Sequence, residues 1–301
     1  MSSGNSSSEK AITASVLEEV SIINILDASR FVNDLFLFFK DNLDLFPNLK
    51  GLIEKAHYTK AIEKKVDTIF DKRLKIKDDA SSELERIRQR ISSLKRQINR
   101  NFEKALKAAK NKGYIDDISE NVIDNRRVMT VMSTYKRQVD GNILGSSKTG
   151  SLSYIEPQIN RALNFELDQL KDDERKEIRR ILAALTEFMR AHLDLITTYQ
   201  KIICDFDEVN AKVQLAQKIG GLRPLLNFKN QDTFLKEAYH PILKVKNDEA
   251  KQKTIPQTFS LTKKNRLLVI SGPNAGGKSI TLKTIGLLQL MLQSGLLLPL
   301  D

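Results

Sequence analysis

The 301-residue sequence predicts a mainly α-helical chain with a small β element, followed by the first part of a truncated α/β phosphate-loop domain. Three observations predict it. Long tracts repeat apolar residues every three or four positions. A short window between two of them switches to β-branched alternation. Near the end, an apolar run stops at a glycine and leads into Gly-Lys-Ser.

Residues 9–71 are helical in pattern. Val16, Val20 and Ile23 share one predicted face. Phe31, Leu35 and Phe38, with Phe36 and Phe39 beside them, predict a second, very apolar helix ended by Phe46-Pro47-Asn48. Segments 52–56 and 61–70 read as further short helices. Residues 1–79 are thus expected to form a helical core bundle, its aromatic side chains packing rather than binding a ligand. Residues 1–8 are polar and Ser/Gly-rich, which predicts disorder.

Residues 76–83 form a polar break with N-cap candidates. In the next segment, 80–125, Leu84, Ile87, Ile91, Leu94, Ile98 and Phe102 mark the coiled-coil seam of a long helix that ends near Gly113. The cations between them, Arg86, Arg88, Arg90, Lys95, Arg96 and Arg100, with Lys104 and Lys107 beyond, fit a nucleic-acid-facing arm or a solvated helix face. The solvated face is the preferred reading for most of them.

Segment 126–157 changes period and predicts a small β tip. Residues 127–135 alternate as a strand, Lys136-Arg137 makes a basic turn, and 138–144 reads as the returning strand. A Gly/Ser loop at 145–151 leads to a third short strand at 152–155. Glu156-Pro157 opens a second helical tract, 158–219. Its seam runs through Ile159, Leu163, Leu167 and Leu170, then Ile178, Leu182, Leu185 and Met189. Two antiparallel helices joined by a β tip make an arm. At about 1.5 Å per residue they hold the tip tens of ångströms from the base.

Gly220-Gly221 ends the arm, and 220–301 reads as the N-terminal part of a phosphate-loop domain. Strands are expected at 259–261 and 266–270. The second would lead into Gly272-Pro273-Asn274-Ala275-Gly276-Gly277-Lys278-Ser279 and a helix beginning at Ile280. This is G-x-x-x-x-G-K-[ST] in a strand–loop–helix context. Glycines let backbone N–H groups converge on phosphate oxygens, and the helix N-terminus adds partial positive charge. Lys278 would reach the β- and γ-phosphates and the Ser279 hydroxyl would bind Mg²⁺, so ATP and Mg²⁺ are the expected cofactors. The bland alternative is a glycine turn between a core strand and a helix.

The totals set outer bounds. Hydrophobic residues make up 41% and charged residues 29%, enough for a packed core with much solvated surface. A formal net charge of +11 and a pI of about 9.5 fit either a polyanionic partner or cations that solvate long helices. The single Cys204 excludes an intramolecular disulfide and is expected in a helical core, in a reducing, cytoplasmic setting. His57, His192 and His240 are scattered, against a zinc site, and His192 reads as structural. The apolar stretch 285–300 is broken by Gln289, Gln293, Gly295 and Pro299 and is too short to span a membrane.

With these residues in view, 269–279 and the following Leu282-Lys283-Thr284-Ile285-Gly286 resemble the ATPase signature of the MutS family. Tyr239-His240-Pro241-Ile242-Leu243 looks like that family's His-Pro element. Segments 80–88, 151–157 and 290–295 resemble the MutS-II branch rather than the mismatch-recognising branch. The resemblance covers most of the chain from about residue 76. It implies a helical core, lever helices, a clamp and an ATPase in dimers that embrace DNA. For this branch it implies branched or recombination-intermediate DNA and, alternatively, ATP-dependent rescue of stalled ribosomes through structured RNA.

By position, the resemblance makes Gly272, Pro273, Asn274, Ala275, Gly276, Gly277, Lys278, Ser279 and Ile280 nucleotide-binding, with Asn274 sensing the γ-phosphate. Ile255 would lie near the adenine. The tip cations Lys136, Arg137 and Lys148 are expected to add nucleic-acid affinity. Two departures stand out. Met129 and Met132 replace a more usual Pro-Val-Lys pattern. The sequence ends at Asp301 without the acidic strand that would hold Mg²⁺, the signature loop or a nuclease module, and no mismatch-reading Phe-x-Glu element is recognised. The expectation is a piece of a longer protein, homodimeric when whole, that does not itself turn over ATP. A chromosome-organising coiled-coil ATPase is the third reading, disfavoured by the short arm.

Overall fold

The computed structural model describes residues 15–226, 232–273 and 277–300. Residues 1–14, expected to begin disordered and then turn helical, lie outside them. The chain divides into two compact units, Met1–Gln200 and Lys201–Asp301. It is mostly helical with a small antiparallel sheet, as the apolar periods predict.

In the first unit, one helix, α1 (Glu19–Asn42), replaces the two expected near the start. Its buried face is Ile22, Ile25, Leu26, Ser29 and Val32, not the predicted Val16–Val20–Ile23 face: Val20 is 66% exposed. The phase differs because Leu17 is drawn into the core just before the helix, its N–H donating to Thr186 Oγ1 at 3.0 Å. Phe31 and Phe38 are about half exposed. Phe38, Phe39 and Phe46 instead contact one another, with ring centroids 5.1–6.5 Å apart. Two short helices follow, α2 (Lys50–Ile53) and α3 (Ala61–Asp67). Asn33, buried on α1, donates to Thr59 O at 2.9 Å and accepts from Thr59 N at 3.3 Å, which fixes the loop before α3.

The arm is α4 (Ser82–Asn111) and α5 (Gln158–Ala191), followed by α6 (Leu193–Ile219). α4 starts where Ser81, with extended backbone, accepts from Leu84 N at 3.0 Å. Ile87, Ile91, Leu94 and Ile98 close on Leu167, with Leu163 and Leu170 at the margin. The helices are antiparallel: Ser81 donates to Glu177, Arg88 to Glu174, Arg90 to Glu166 and Asn160 to the Ile98 carbonyl. Thirty residues of α4 span about 45 Å. At the base, Leu84, Ile181, Leu182, Leu185 and Met189 join Ile22, Leu26, Ile62 and Val66 in one core. Ile159, expected in the seam, is 63% exposed; the seam positions there belong to the buried Asn160 and Asn164.

Glu177 locks α5 to the start of α4. Arg180 donates to both its carboxylate oxygens at 2.7 Å, and Ser81 Oγ donates at 2.6 Å. These donors hold the carboxyl down to about 2, against an ordinary 4.5, although burial opposes them. The folded chain therefore prefers the charged form, and its contribution is present above pH ~4.5 and lost as pH falls toward 2. We expect Glu177→Gln to cost about 1–2 kcal/mol at neutral pH, allowing for solvent around the exposed Arg180. Urea titrations should show that gap closing toward pH 2. A gap independent of pH would refute this account.

The tip is a four-stranded antiparallel sheet in the order β1-β2-β4-β3, with β1 Ile115–Ile123, β2 Arg126–Met132, β3 Gly141–Ser146 and β4 Leu152–Pro157. Residues 115–123, assigned above to the first helical segment, are a strand. A two-residue turn joins it to β2, with Asp124 and Asn125 at φ 49° and 61°, the backbone of a tight hairpin. The expected return strand β3 pairs with β4, not with β2. The sheet packs on the end of α4: Met129, Val131 and Ile155 meet Phe102, Leu106 and Ala109. Met129, a departure from the family pattern, is thus a core residue, 1% exposed.

In the second unit, β5 (Thr233–Ala238) pairs antiparallel with β6 (Gln257–Leu261). Helices α7 (Pro241–Glu249) and α8 (Lys278–Gln293) complete it. Leu288 and Met291 of α8 share a core with Ile219, Ala238, Phe259 and Leu298. The strand expected at 266–270 is not formed: Leu267 is 91% and Val269 87% exposed. An apolar run becomes a strand only beside a partner for its N–H and C=O groups, and among the described residues none flanks this one. No helix of the described residues is long and apolar enough to cross a membrane. Cys204, expected in the core, is exposed: the inward face of this part of α6 is Ile196, Tyr199 and Ile202, and Cys204 lies off it.

Candidate functional site

The phosphate-loop signature begins with Gly272 at φ 152° and resumes at Gly277, φ 82°, which caps α8. Both backbones suit glycine and strain other residues. Asn274, Ala275 and Gly276, three of the expected nucleotide contacts, lie outside the described residues. Gly277 has no side chain to cap the helix, so the N–H groups of Ser279 and Ile280 in the first turn of α8 are left by the helix itself for an outside acceptor. Lys278 Nζ donates to the Gly272 carbonyl at 2.6 Å, which brings the ammonium back across the loop. Ser279 is exposed and Ile280 half-buried. Thr281 Oγ1 and Thr284 Oγ1 back-bond into the helix and are taken up structurally. A left-handed glycine, an uncapped helix start and a lysine ammonium at the loop mouth fit a phosphate group. Among the described residues no cluster of three or more His, Cys, Asp or Glu could hold a metal ion; of the expected Mg²⁺ site the chain supplies Ser279.

His240 and Pro241 begin α7, where His240 Nδ1 accepts from Leu243 N at 3.4 Å. Burial pushes the imidazole below its ordinary value, and the Lys283 ammonium pushes the same way. His240 is therefore a neutral cap, because protonation would remove the acceptor. His192 is structural, its Nδ1 2.9 Å from the Phe188 carbonyl oxygen and its ring against Phe188. Ile255, expected near an adenine, is 79% exposed.

In the first unit, Lys136 and Arg137 follow the 3-10 turn Ser133–Tyr135, and Lys148 lies in the turn between β3 and β4. The two turns are held together by Ser133 N to Ser151 O at 2.9 Å and Ser133 Oγ to Gly150 O at 2.7 Å. All three cations are exposed.

Sequence reasoning missed the joint between tip and arm. Glu156 is fully buried; Asn164 Nδ2 donates to it, and Arg126 approaches it at 3.4 Å while reaching Asp168 at 3.1 Å. Asn160 supports the same turn of α5, although its Oδ1 has no partner among the described residues. On the other side of the sheet, Arg127 lies 4.2 Å over the Phe102 ring and binds Glu103 at 2.9 Å and also Glu120. The missed signal was Asn160 and Asn164, spaced by four on an otherwise apolar stripe.

A two-helix arm ending in a four-stranded sheet, with a Gly-Lys-Ser helix start in a second unit, defines a predominantly helical protein that carries a phosphate-loop signature. The comparisons narrow that class. The chain is similar to proteins named Endonuclease MutS2. The one from Leuconostoc mesenteroides is 32% identical over 291 residues, 96% of this chain and 35% of that protein. That from Carboxydothermus hydrogenoformans is 34% identical over 262 residues, 87% and 33%. That from Lacticaseibacillus casei is 34% identical over 293 residues, 97% and 35%. These similarities support a MutS-related family for the chain. The chain spans about a third of the length of the curated relatives it matches. No protein-family model matches it.

Proposed function

We propose that this chain is the lever, clamp and first ATPase part of a MutS-II-branch protein that binds branched or recombination-intermediate DNA under control of ATP. The observation that carries this is the similarity to proteins named Endonuclease MutS2, which runs through both units over most of the chain. In the whole protein, homodimeric in this reading, nucleotide at Gly272–Ile280 and DNA at the arm would be coupled, each ligand favouring the conformation the other prefers. Gly272 and Gly277 shape the loop, Lys278 holds phosphate charge and Ser279 meets Mg²⁺.

The test is nucleotide and DNA binding measured separately. Fluorescent ATP should bind in the presence of Mg²⁺. Lys278→Ala should weaken it about 100-fold, the loss of about 3 kcal/mol from charge-assisted bonds to two phosphates. The 301-residue chain is expected to show no steady ATP hydrolysis; a steady rate abolished by Lys278→Ala would overturn that part. Four-way junction and linear duplex DNA, with structured RNA as a third arm, separate DNA control from the ribosome-rescue reading. Tighter binding of structured RNA at matched salt would reverse the choice.

A further inference from the structure

The ten cations of α4 and its C-terminal cap do not share one fate. Toward the base, Arg86 binds Glu83, Arg88 binds Glu174 and Asp78, and Arg90 binds Glu166. Those three are spent on the arm itself. From Lys95 onward the pattern reverses. Arg96, Arg100, Lys104 and Lys107 are exposed, and none has an ion-pair partner among the described residues. Glu103, the only acidic residue between Glu85 and Asp116, is held by Arg127. Glu174 is held by Arg88.

Helical geometry gathers the four into one stripe. At about 100° per residue, positions 96, 100, 104 and 107 fall within an arc of about 80°, roughly opposite the buried face of Leu94, Ile98, Phe102 and Leu106. They extend about 16 Å along the axis, with neighbours about 5–6 Å apart. The charge continues toward the tip. Lys112 lies 5.9 Å over the Tyr114 ring, Tyr114 stacks on Tyr135 at 4.8 Å, and Lys136 and Arg137 come next in the chain. A rigid row of unpaired cations away from the protein core has no packing role, and it is complementary to a regularly spaced row of anions.

We propose that the outer face of α4, through Arg96, Arg100, Lys104 and Lys107, is a docking surface for the phosphate backbone of double-stranded DNA, laid along the arm toward the tip. This rests on the DNA-binding reading and extends it, from the tip cations to the shaft. Such contacts carry affinity and orientation but no base sequence.

The experiment is fluorescence anisotropy of a labelled 30-base-pair duplex with the 301-residue chain, titrated from low to near-physiological salt. The stripe variant is R96Q/R100Q/K104Q/K107Q; glutamine keeps helix propensity, and circular dichroism checks folding. A charge-matched control, K60Q/K64Q/K65Q/K72Q, removes four exposed cations elsewhere. The stripe variant should bind at least about tenfold more weakly at low salt, and the slope of log K against log salt should fall by about 3–4. The control should change both far less. Equal losses in stripe and control variants, or a stripe variant with the wild-type affinity and slope, would overturn the inference. If the K136A/R137A/K148A variant then loses binding, the DNA reading survives without it. A wild-type chain that shows no salt-dependent binding to duplex sinks the reading and the inference together. A loss seen with duplex RNA but not with DNA overturns the choice of DNA.

Discussion

Replacing Arg126 by alanine should destabilise the tip and upper arm by about 3–5 kcal/mol, far more than an ordinary arginine truncation. Glu156 is the cause. Its carboxylate is fully buried, with Asn164 as its neutral donor and Arg126 as the cation beside it. Truncation leaves the charge buried and uncompensated, whereas the Arg126–Asp168 contact, half in solvent, contributes little. A double-mutant cycle separates these terms. Arg126→Ala/Glu156→Gln keeps an amide in place of the carboxylate, still able to accept from Asn164, and should recover about 2 kcal/mol of the loss. Hydrogen exchange at β4 and the first turns of α5 gives a local reading. If the double variant opens as readily as the sum of the two single losses, buried charge is not what Arg126 offsets.

The seam of the arm was legible in the sequence because its physics is local. Leu84, Ile87, Ile91, Leu94, Ile98 and, on the partner helix, Leu182, Leu185 and Met189 repeat at helical spacing, and all are buried. Misreadings came where the register depends on something remote. The spacing of Val20 to Val16 and Ile23 predicts an inward face, but a hydrogen bond to Thr186 pulls Leu17 inward instead. Residues 115–123 carry no clear strand signal because Asp116, Asp117 and Glu120 hide the alternation; an edge strand tolerates such charge. Residues 266–270 carried a clear strand signal and no strand, because β propensity is fulfilled by pairing.

The candidate site divides the same way. Gly277, Lys278 and Ser279 are adjacent in sequence, so spacing alone brought them to a helix start. The tip cations were located by the turns that carry them. The Arg126–Glu156–Asn164 joint was invisible because three elements supply it, and no single window of sequence contains its chemistry. The row of cations on α4 was visible as composition. What separated its paired half from its unpaired half was the position of Glu166 and Glu174, some eighty residues further along.

Gly141→Ala should detach β3 from the sheet and cost about 2–4 kcal/mol locally, although one methyl group is added. Gly141 opposes Pro157 at the start of the β3–β4 pair. A Cβ there would stand 2.3 Å from the Glu156 carbonyl oxygen and 2.5 Å from Ile155 Cγ2. The first neighbour is backbone, and the second belongs to a fully buried side chain, so neither yields without moving β4. Gly145, four residues on, is the control. Its nearest atoms would be 3.5–3.6 Å away, ordinary contact, and Gly145→Ala should change stability by less than about 1 kcal/mol. Exchange rates of β3 and β4 amides distinguish the two, and equal protection in both variants would contradict the close approach. The consequence reaches function through the turn that follows β3. Lys148 is positioned by that strand pair, so Gly141→Ala should also lower duplex affinity, by about the amount lost with Lys148→Ala, while leaving nucleotide binding at Lys278 unchanged.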